Sequence, residues 1–199
     1  MMLSLLKPTG IIIMAAGASS RLGRAKQLEI VKGKMLLQHI LDEVNKLENV
    51  SAVLILGANG ETIKNNVDAA GIPYLIHQAW KEGMSSSMQA GLRYLLSNEP
   101  NLNQVILLVC DQPFVNADLL TQLIEQKAAS EKGIICCAYA DTIGVPVLFD
   151  QQYFDALLAL KSKEGAKKLI FQNMGDVFTV AFPKGEIDID TEADLEGLS

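Results

Sequence analysis

Short runs of uninterrupted apolar residues, each followed by a stretch of helical periodicity, constrain this 199-residue chain more than any other feature. Residues 10–15 (GIIIMA), 51–56 (SAVLIL) and 104–109 (QVILLV) have strand length and are dominated by aliphatic side chains. A strand with one wet face alternates apolar and polar residues, so runs without alternation must be covered on both faces. Between them, residues 35–47 place Leu36, Leu37, Ile40, Leu41, Val44 and Leu47 on one side of a helix. Residues 61–69 and 85–96 read as further helices, and 73–76 as a third strand. Asn116 is in place to cap a helix that runs to about Lys127. Beyond it the chain becomes strand-rich: strands over 133–138, 145–149, 176–182 and 187–189, short helices near 153–160 and 164–171, and a closing helix over 191–198. This order predicts an α/β fold, a mostly parallel sheet with helices on both faces. In such sheets ligands bind at the carboxyl ends of the strands, which directs attention to the loops after residues 15, 57, 76 and 109.

No repeat, low-complexity stretch or linker interrupts the pattern, so residues 1–199 are expected to form a single domain. With 17 basic and 23 acidic residues the net charge is -6, which argues against a nucleic-acid partner but leaves room for a nucleotide held by backbone amides and a metal. No apolar run approaches the ~20 residues that span a bilayer, so no membrane partner is expected. The start, MMLSLLKPTG, lacks the basic region and cleavage site of a signal peptide. The three cysteines, Cys110, Cys136 and Cys137, form no disulfide framework and point to the cytoplasm. Cys136 and Cys137 are adjacent, and on a strand they face opposite ways into the core. Cys110 is read as a packing residue too.

The loop after the first strand runs Ala15-Ala16-Gly17-Ala18-Ser19-Ser20-Arg21-Leu22-Gly23-Arg24-Ala25-Lys26. Small residues let successive amides approach a phosphate, and Arg21 and Lys26 can add charge-assisted hydrogen bonds. Two familiar phosphate loops do not fit. Five residues separate Gly17 from Gly23, where a Walker A loop needs four, and Arg24 follows. A dinucleotide-binding GxGxxG would need a second glycine that neither position 15 nor 19 supplies. A solvated turn with two basic residues is the plain alternative.

AAGASSRLGRAKQL resembles the signature loop of the nucleotidyltransferases related to MobA and MocA, which make the dinucleotide forms of the molybdenum cofactor. The resemblance implies that the loop, through Ala15, Ala16, Gly17, Ser19 and Ser20, wraps a nucleoside triphosphate. Arg21 and Lys26 would then hold its phosphates as pyrophosphate leaves. Relatives that use GTP tend to carry Ala-Gly-Gly here, whereas cytidylyl and other pyrimidine-using relatives carry Ala-Ala-Gly. GMSSSMQAGL at residues 83–92 resembles a segment of the cytidylyl branch beside the base, which brings in Gly83, Ser85 and Ser86. Gln78 stands at a spacing that in uridylyl relatives belongs to a pyrimidine contact. An ordinary serine helix start is the alternative for that run.

Two acidic segments remain. Asp111 follows the strand 104–109 directly, within Cys-Asp-Gln-Pro, and residues 186–195 alternate acidic and apolar side chains before a helix. Magnesium needs only one or two carboxylates in addition to phosphate and water. By resemblance, Asp111 and Asp190 are the Mg2+ ligands, with Asp188 the second choice for the latter; Asp111 would also be catalytic together with Arg21 and Lys26. Without the resemblance, Asp111 caps a turn and Asp190 or Thr191 caps a helix. His39 and His77 are assigned no role.

Residues 144–149 resemble the family's acceptor-side strand and 163–168 its Gly-Ala segment, although Lys163-Glu164 replaces the usual Gly-Asp. Lys167 and Lys168 can meet an acceptor phosphate or simply face water.

The resemblance spans about residues 11–195 and implies a Rossmann-like, three-layer fold of the nucleotide-diphospho-sugar-transferase type. It further implies transfer of CMP from CTP to molybdopterin, with a molybdoenzyme as client. GTP as donor, a sugar or polyol phosphate as acceptor, and a non-catalytic carrier or chaperone of the cofactor stay open as alternatives.

Overall fold

The computed structural model describes residues 8–162 and 164–198. The readings of the first seven residues and of Lys163 fall outside that range. Strand β1 (Thr9–Ala15) is the centre of the molecule, paired in parallel with β4 (Val50–Leu56) on one side and β6 (Gln104–Val109) on the other. The seven-stranded sheet runs β5-β4-β1-β6-β8-β7-β9, with β5 Tyr74–Ile76, β7 Ile134–Tyr139, β8 Thr142–Asp150 and β9 Val177–Ala181. Strand β8 alone runs antiparallel, wedged between β6 and β7. The sheet is thus mostly parallel and mixed, as the apolar runs predict.

Both faces are covered, which explains why β1 reads as one apolar run. Ile11, Ile13 and Ala15 join the core under helices α1 (Leu36–Val44) and α4 (Ala117–Ala129). Ile12 and Met14 join the opposite core under α3 (Met84–Asn98), α5 (Phe154–Leu158) and α6 (Ala166–Gln172). Cys137 packs on the first face and Cys136 on the second, as neighbours on a strand must. Three elements complete the order: a small hairpin, β2 (Ile30–Val31) and β3 (Lys34–Met35), helix α2 (Gly60–Lys64), and helix α7 (Glu192–Glu196).

Several boundaries differ from the sequence reading. Helix α1 ends at Val44, so Leu47 lies in the turn beyond it, partly buried. Helix α2 is shorter than 61–69. Residues 187–189 are not a strand. In place of a ladder, Ile187 N–H donates to the Lys184 carbonyl at 3.2 Å and Ile189 N–H to the Asp111 carbonyl at 3.0 Å. What fixes this stretch is side-chain burial: Ile189 and Leu195 pack with Leu22, Val31 and Leu36 in a small third core. That core docks the C-terminal segment onto the loop after β1. Among the described residues no helix is long and apolar enough to cross a membrane.

Candidate functional site

The loop after β1 owes its shape to a buried amide. Gln27 is 1% exposed, and its Nε2 donates to the carbonyls of Ala15 at 2.9 Å and Gly17 at 3.2 Å. The Ser19 hydroxyl accepts from the Lys26 amide and donates to Gln27 Oε1. Ser19 adopts a left-handed φ of 52°, and its carbonyl takes the amides of Leu22 and Gly23, closing a tight turn. Gly17 is exposed, and a Cβ there would meet nothing within 4 Å. The fold itself therefore does not demand glycine at that point, so its smallness is free to serve a ligand's approach. Ala15 and Ala16 are buried, and Ser20 is exposed.

The cations of this loop do not point into empty space. Lys26 Nζ donates to Asp111 Oδ2 at 2.8 Å and to Asp190 Oδ1 at 2.7 Å. Arg21 Nη2 takes the other oxygen of Asp190 at 2.5 Å. The Lys26 side chain is 11% exposed, while that of Arg21 is 69% exposed. Burial alone would lower the lysine's pKa, but the charge of Asp111 and the two carboxylate hydrogen bonds outweigh it and push the ammonium up to about 12. Burial, then the charges of Asp111 and Asp190, raise the Asp188 carboxyl above its ordinary value. Arg24 bridges Glu29 and Glu192, tying the loop to α7. Thr191 and Asp194 form a capping box at the start of α7, and Asp194 also accepts from the Asp190 amide. Asp190 is thus held from its own backbone as well as through its side chain.

Asp111 sits at the carboxyl end of β6, where two cavities adjoin. One, about 390 Å³, is lined by Ala16, Gly17, Lys26, Trp80, Gly83 and Ser87 among others. The second, about 350 Å³, has a floor of Met88, Leu107, Val145 and Ile170, with Gln112, Tyr139, Lys167 and Asp188 among the residues around it. Met14, Met84, Val109 and Asp111 line both. Among the described residues, no three His, Cys, Asp or Glu side chains gather as a metal cage. A pair of carboxylates aimed at one point is nonetheless the hard-oxygen donor set that magnesium or manganese takes when phosphate supplies the rest.

The model of the MobA-like NTP transferase domain family matches residues 11–177. The chain belongs to this family. Among curated relatives, the MobA-like domain is 36% identical over 121 residues to the bifunctional protein GlmU of Methylobacillus flagellatus, covering 60% of this chain and 25% of that one. The chain spans about a quarter of the length of the curated relatives it matches. Among solved structures it superposes on Rv0371c from Mycobacterium tuberculosis H37Rv with TM-score 0.84 and 26% identity, over 96% of this chain and 97% of that one. A structure of Rv0371c in complex with manganese aligns with TM-score 0.77 and 25% identity, over 96% and 97%. Asp190 lies beyond the matched span.

The MobA-like domain gathers some of the residues picked out by sequence and scatters others. Ala16, Gly17, Lys26, Gly83 and Asp111 line the first cavity together. Gly83 has a φ of 111° and touches the Ser162 carbonyl so closely that a Cβ would come within 2.1 Å of it. Ser85 is buried, donates to the Lys161 carbonyl and lines the second cavity. The Ser86 hydroxyl donates to the Ala79 and Gly83 carbonyls. Gln78 is exposed and is not among the lining of either cavity. Helix α3 starts at Met84 with Gly83 as its cap and no side-chain cap bond, so the serine run stiffens the turn instead of capping it. Cys110 is 4% exposed, and burial followed by the Asp111 charge raises its thiol to about 12, which makes it unreactive. His39 bonds the Val31 carbonyl and His77 bonds Ser86.

Sequence reasoning missed Gln27, Trp80 and the methionines of the cavity walls. Gln27 had a visible signal, a lone amide beside Lys26 in a loop otherwise built of small and basic residues. The methionines carry no role of their own in sequence: Met14 lies in the first apolar run, and Met84 and Met88 only within the GMSSSMQAGL segment.

Proposed function

We propose that this nucleotidyltransferase moves CMP from CTP to a molybdopterin-type acceptor and releases pyrophosphate. The observation that carries the reading is the meeting of two cavities of different chemistry at Asp111. The cavity beside Gly17 and Lys26 takes the triphosphate, and the one floored by methionines and aliphatic side chains takes the acceptor. A phosphate oxygen of the acceptor attacks the α-phosphorus, and the bond to the leaving pyrophosphate breaks. Such transfer asks the protein mainly for positioning and charge neutralisation. Lys26 and Arg21 supply the cations for the phosphates, and the amides around Gly17 supply neutral donors. Asp111 and Asp190 would hold Mg2+, and a divalent ion there offers positive charge to the phosphate oxygens as the bond changes. The manganese complex of the Mycobacterium tuberculosis relative supports a divalent metal in this family.

The Ala15-Ala16-Gly17 and GMSSSM segments favour a pyrimidine donor over GTP. The apolar floor of Met88, Leu107, Val145 and Ile170 favours a flat heterocyclic acceptor over a sugar or polyol phosphate, whose hydroxyls need hydrogen-bond partners. On this reading residues 1–199 work as one cytoplasmic domain with a molybdoenzyme as client.

Thermal-shift measurements with CTP, UTP, GTP and ATP, each with and without Mg2+, test the donor, because a ligand of the native state raises the melting midpoint. A shift confined to CTP with Mg2+, followed by pyrophosphate release on adding molybdopterin, is expected. A GTP shift would move the assignment to guanylyl transfer. No shift with any triphosphate would leave the carrier as the better account.

A further inference from the structure

Lys26 occupies the place where the two aspartates converge. Its Nζ lies 2.8 Å from Asp111 Oδ2 and 2.7 Å from Asp190 Oδ1, and the side chain is largely buried. A cation that bridges these same two oxygens takes that position. Arg21 fills the remaining oxygen of Asp190. Two cations offset the charges of Asp111 and Asp190, so a metal ion arriving alone meets a pair of carboxylates already partnered.

Displacing the ammonium has a further cost. The Lys26 amide is tied to the Ser19 hydroxyl, and the neighbouring Gln27 is clipped to the Ala15 and Gly17 carbonyls. The backbone of Lys26 cannot retreat, so only its side chain can swing. Without a new partner, the ammonium would lose both carboxylates that hold it, and a charge taken from water without a partner is unfavourable. A triphosphate in the cavity that Lys26 and Gly17 line together provides that partner.

We propose that Lys26 is a built-in counter-ion that keeps a divalent metal out of the Asp111–Asp190 pair until a nucleotide draws the ammonium away. Metal and nucleotide then bind as a coupled pair, each raising the affinity of the other by the same factor. This rests on the reading of Asp111 and Asp190 as metal ligands. Lys26 thereby has two duties, standing in for the metal before the nucleotide arrives and holding phosphate afterwards.

Calorimetric titration of Mn2+ into the nucleotide-free protein tests it. Wild type is expected to bind at least about tenfold more weakly than Lys26→Met, and Asp111→Asn in the Lys26→Met background should remove the binding gained. Equal Mn2+ affinity in wild type and Lys26→Met overturns the proposal. If Lys26→Met does not fold, wild type alone decides. The non-hydrolysable α,β-methylene CTP should bind at least about tenfold tighter with Mn2+ than with EDTA. A ratio near one overturns the coupling. Tight Asp111-dependent binding of Mn2+ to nucleotide-free wild type would leave the metal-ligand reading standing and sink the counter-ion alone. Failure of every form to bind Mn2+, even with the analogue, would sink both.

Discussion

The two cavities that meet at Asp111 are built by opposite means. Around the cavity beside Gly17, contiguous small residues of one loop meet Trp80, Gly83 and Ser87, and Lys26 is already paired with two carboxylates. On the acceptor side, the floor is assembled from β1, α3, β6, β8 and α6, and its contacts are mostly methionine and aliphatic. A phosphate is recognised by charge and by backbone amides, which one tight loop can present. A larger body of mixed polarity needs a surface, and a surface must be collected from distant parts of the chain. The difference teaches that the loop with its small residues and cations is local in sequence, while the carboxylates it pairs with and the apolar wall of the second cavity are not.

Substitutions can break or sharpen this contrast. Asp111→Asn strikes the point common to both cavities, and we expect kcat to fall by roughly 10²- to 10³-fold with the melting curve little changed. Near-normal turnover would remove Asp111 from the chemistry. Ala166→Phe narrows the acceptor cavity only; the acceptor KM should rise on the order of tenfold, about 1.4 kcal/mol, while CTP affinity holds. A parallel loss of CTP affinity would show that the cavities are not separable. Gly83→Ala places a Cβ 2.1 Å from the Ser162 carbonyl at a φ of 111°, and should destabilise the fold by about 1–3 kcal/mol, read by chemical denaturation. Thr191→Ala removes the cap beside Asp190 and should cost about 1 kcal/mol, lowering Tm by about 2–4 °C. Ala16→Gly should produce the smallest change, a partial relaxation of CTP over GTP preference, and unchanged selectivity would detach the base choice from that position.

The capping box also carries a pH signature. Hydrogen bonds from the Thr191 hydroxyl and from the amides of Asp190 and Thr191 hold the Asp194 carboxyl below its ordinary 3.8. An acid with a depressed folded pKa stabilises the native state above the unfolded value and loses that contribution as pH falls through the folded one. Asp194→Asn should therefore cost stability at neutral pH and match wild type in strong acid, as paired melts would show.

The strands were legible because β1, β4 and β6 are buried on both faces and so appear as unbroken apolar runs. The position of Asp111 at the carboxyl end of β6 was legible from the apolar run before it, whereas its role was read from resemblance. Residues 187–189 were misread as a strand because alternation of acid and isoleucine mimics a pleat. Burial of Ile189 against Leu22 and Leu36, not a ladder, sets their path. The pairing of Lys26 with Asp190 was not legible at all, since the partners stand 164 residues apart and both had plausible ligand roles of their own. Gln78 and the serines 85 and 86 were placed by resemblance. The environment of Ser85 depends on how α3 meets the Lys161–Ser162 turn, which no local pattern encodes.

The backbone bond from Ile189 N–H to the Asp111 carbonyl joins the two acidic segments across most of the second half of the chain. Closing so long a loop is entropically slow and comes after local elements have formed. The Lys26 bridge between Asp111 and Asp190 therefore depends on the C-terminal segment reaching its dock on Leu22, Val31 and Leu36, so a substitution that loosens that small core reaches the charge cluster without touching the central sheet.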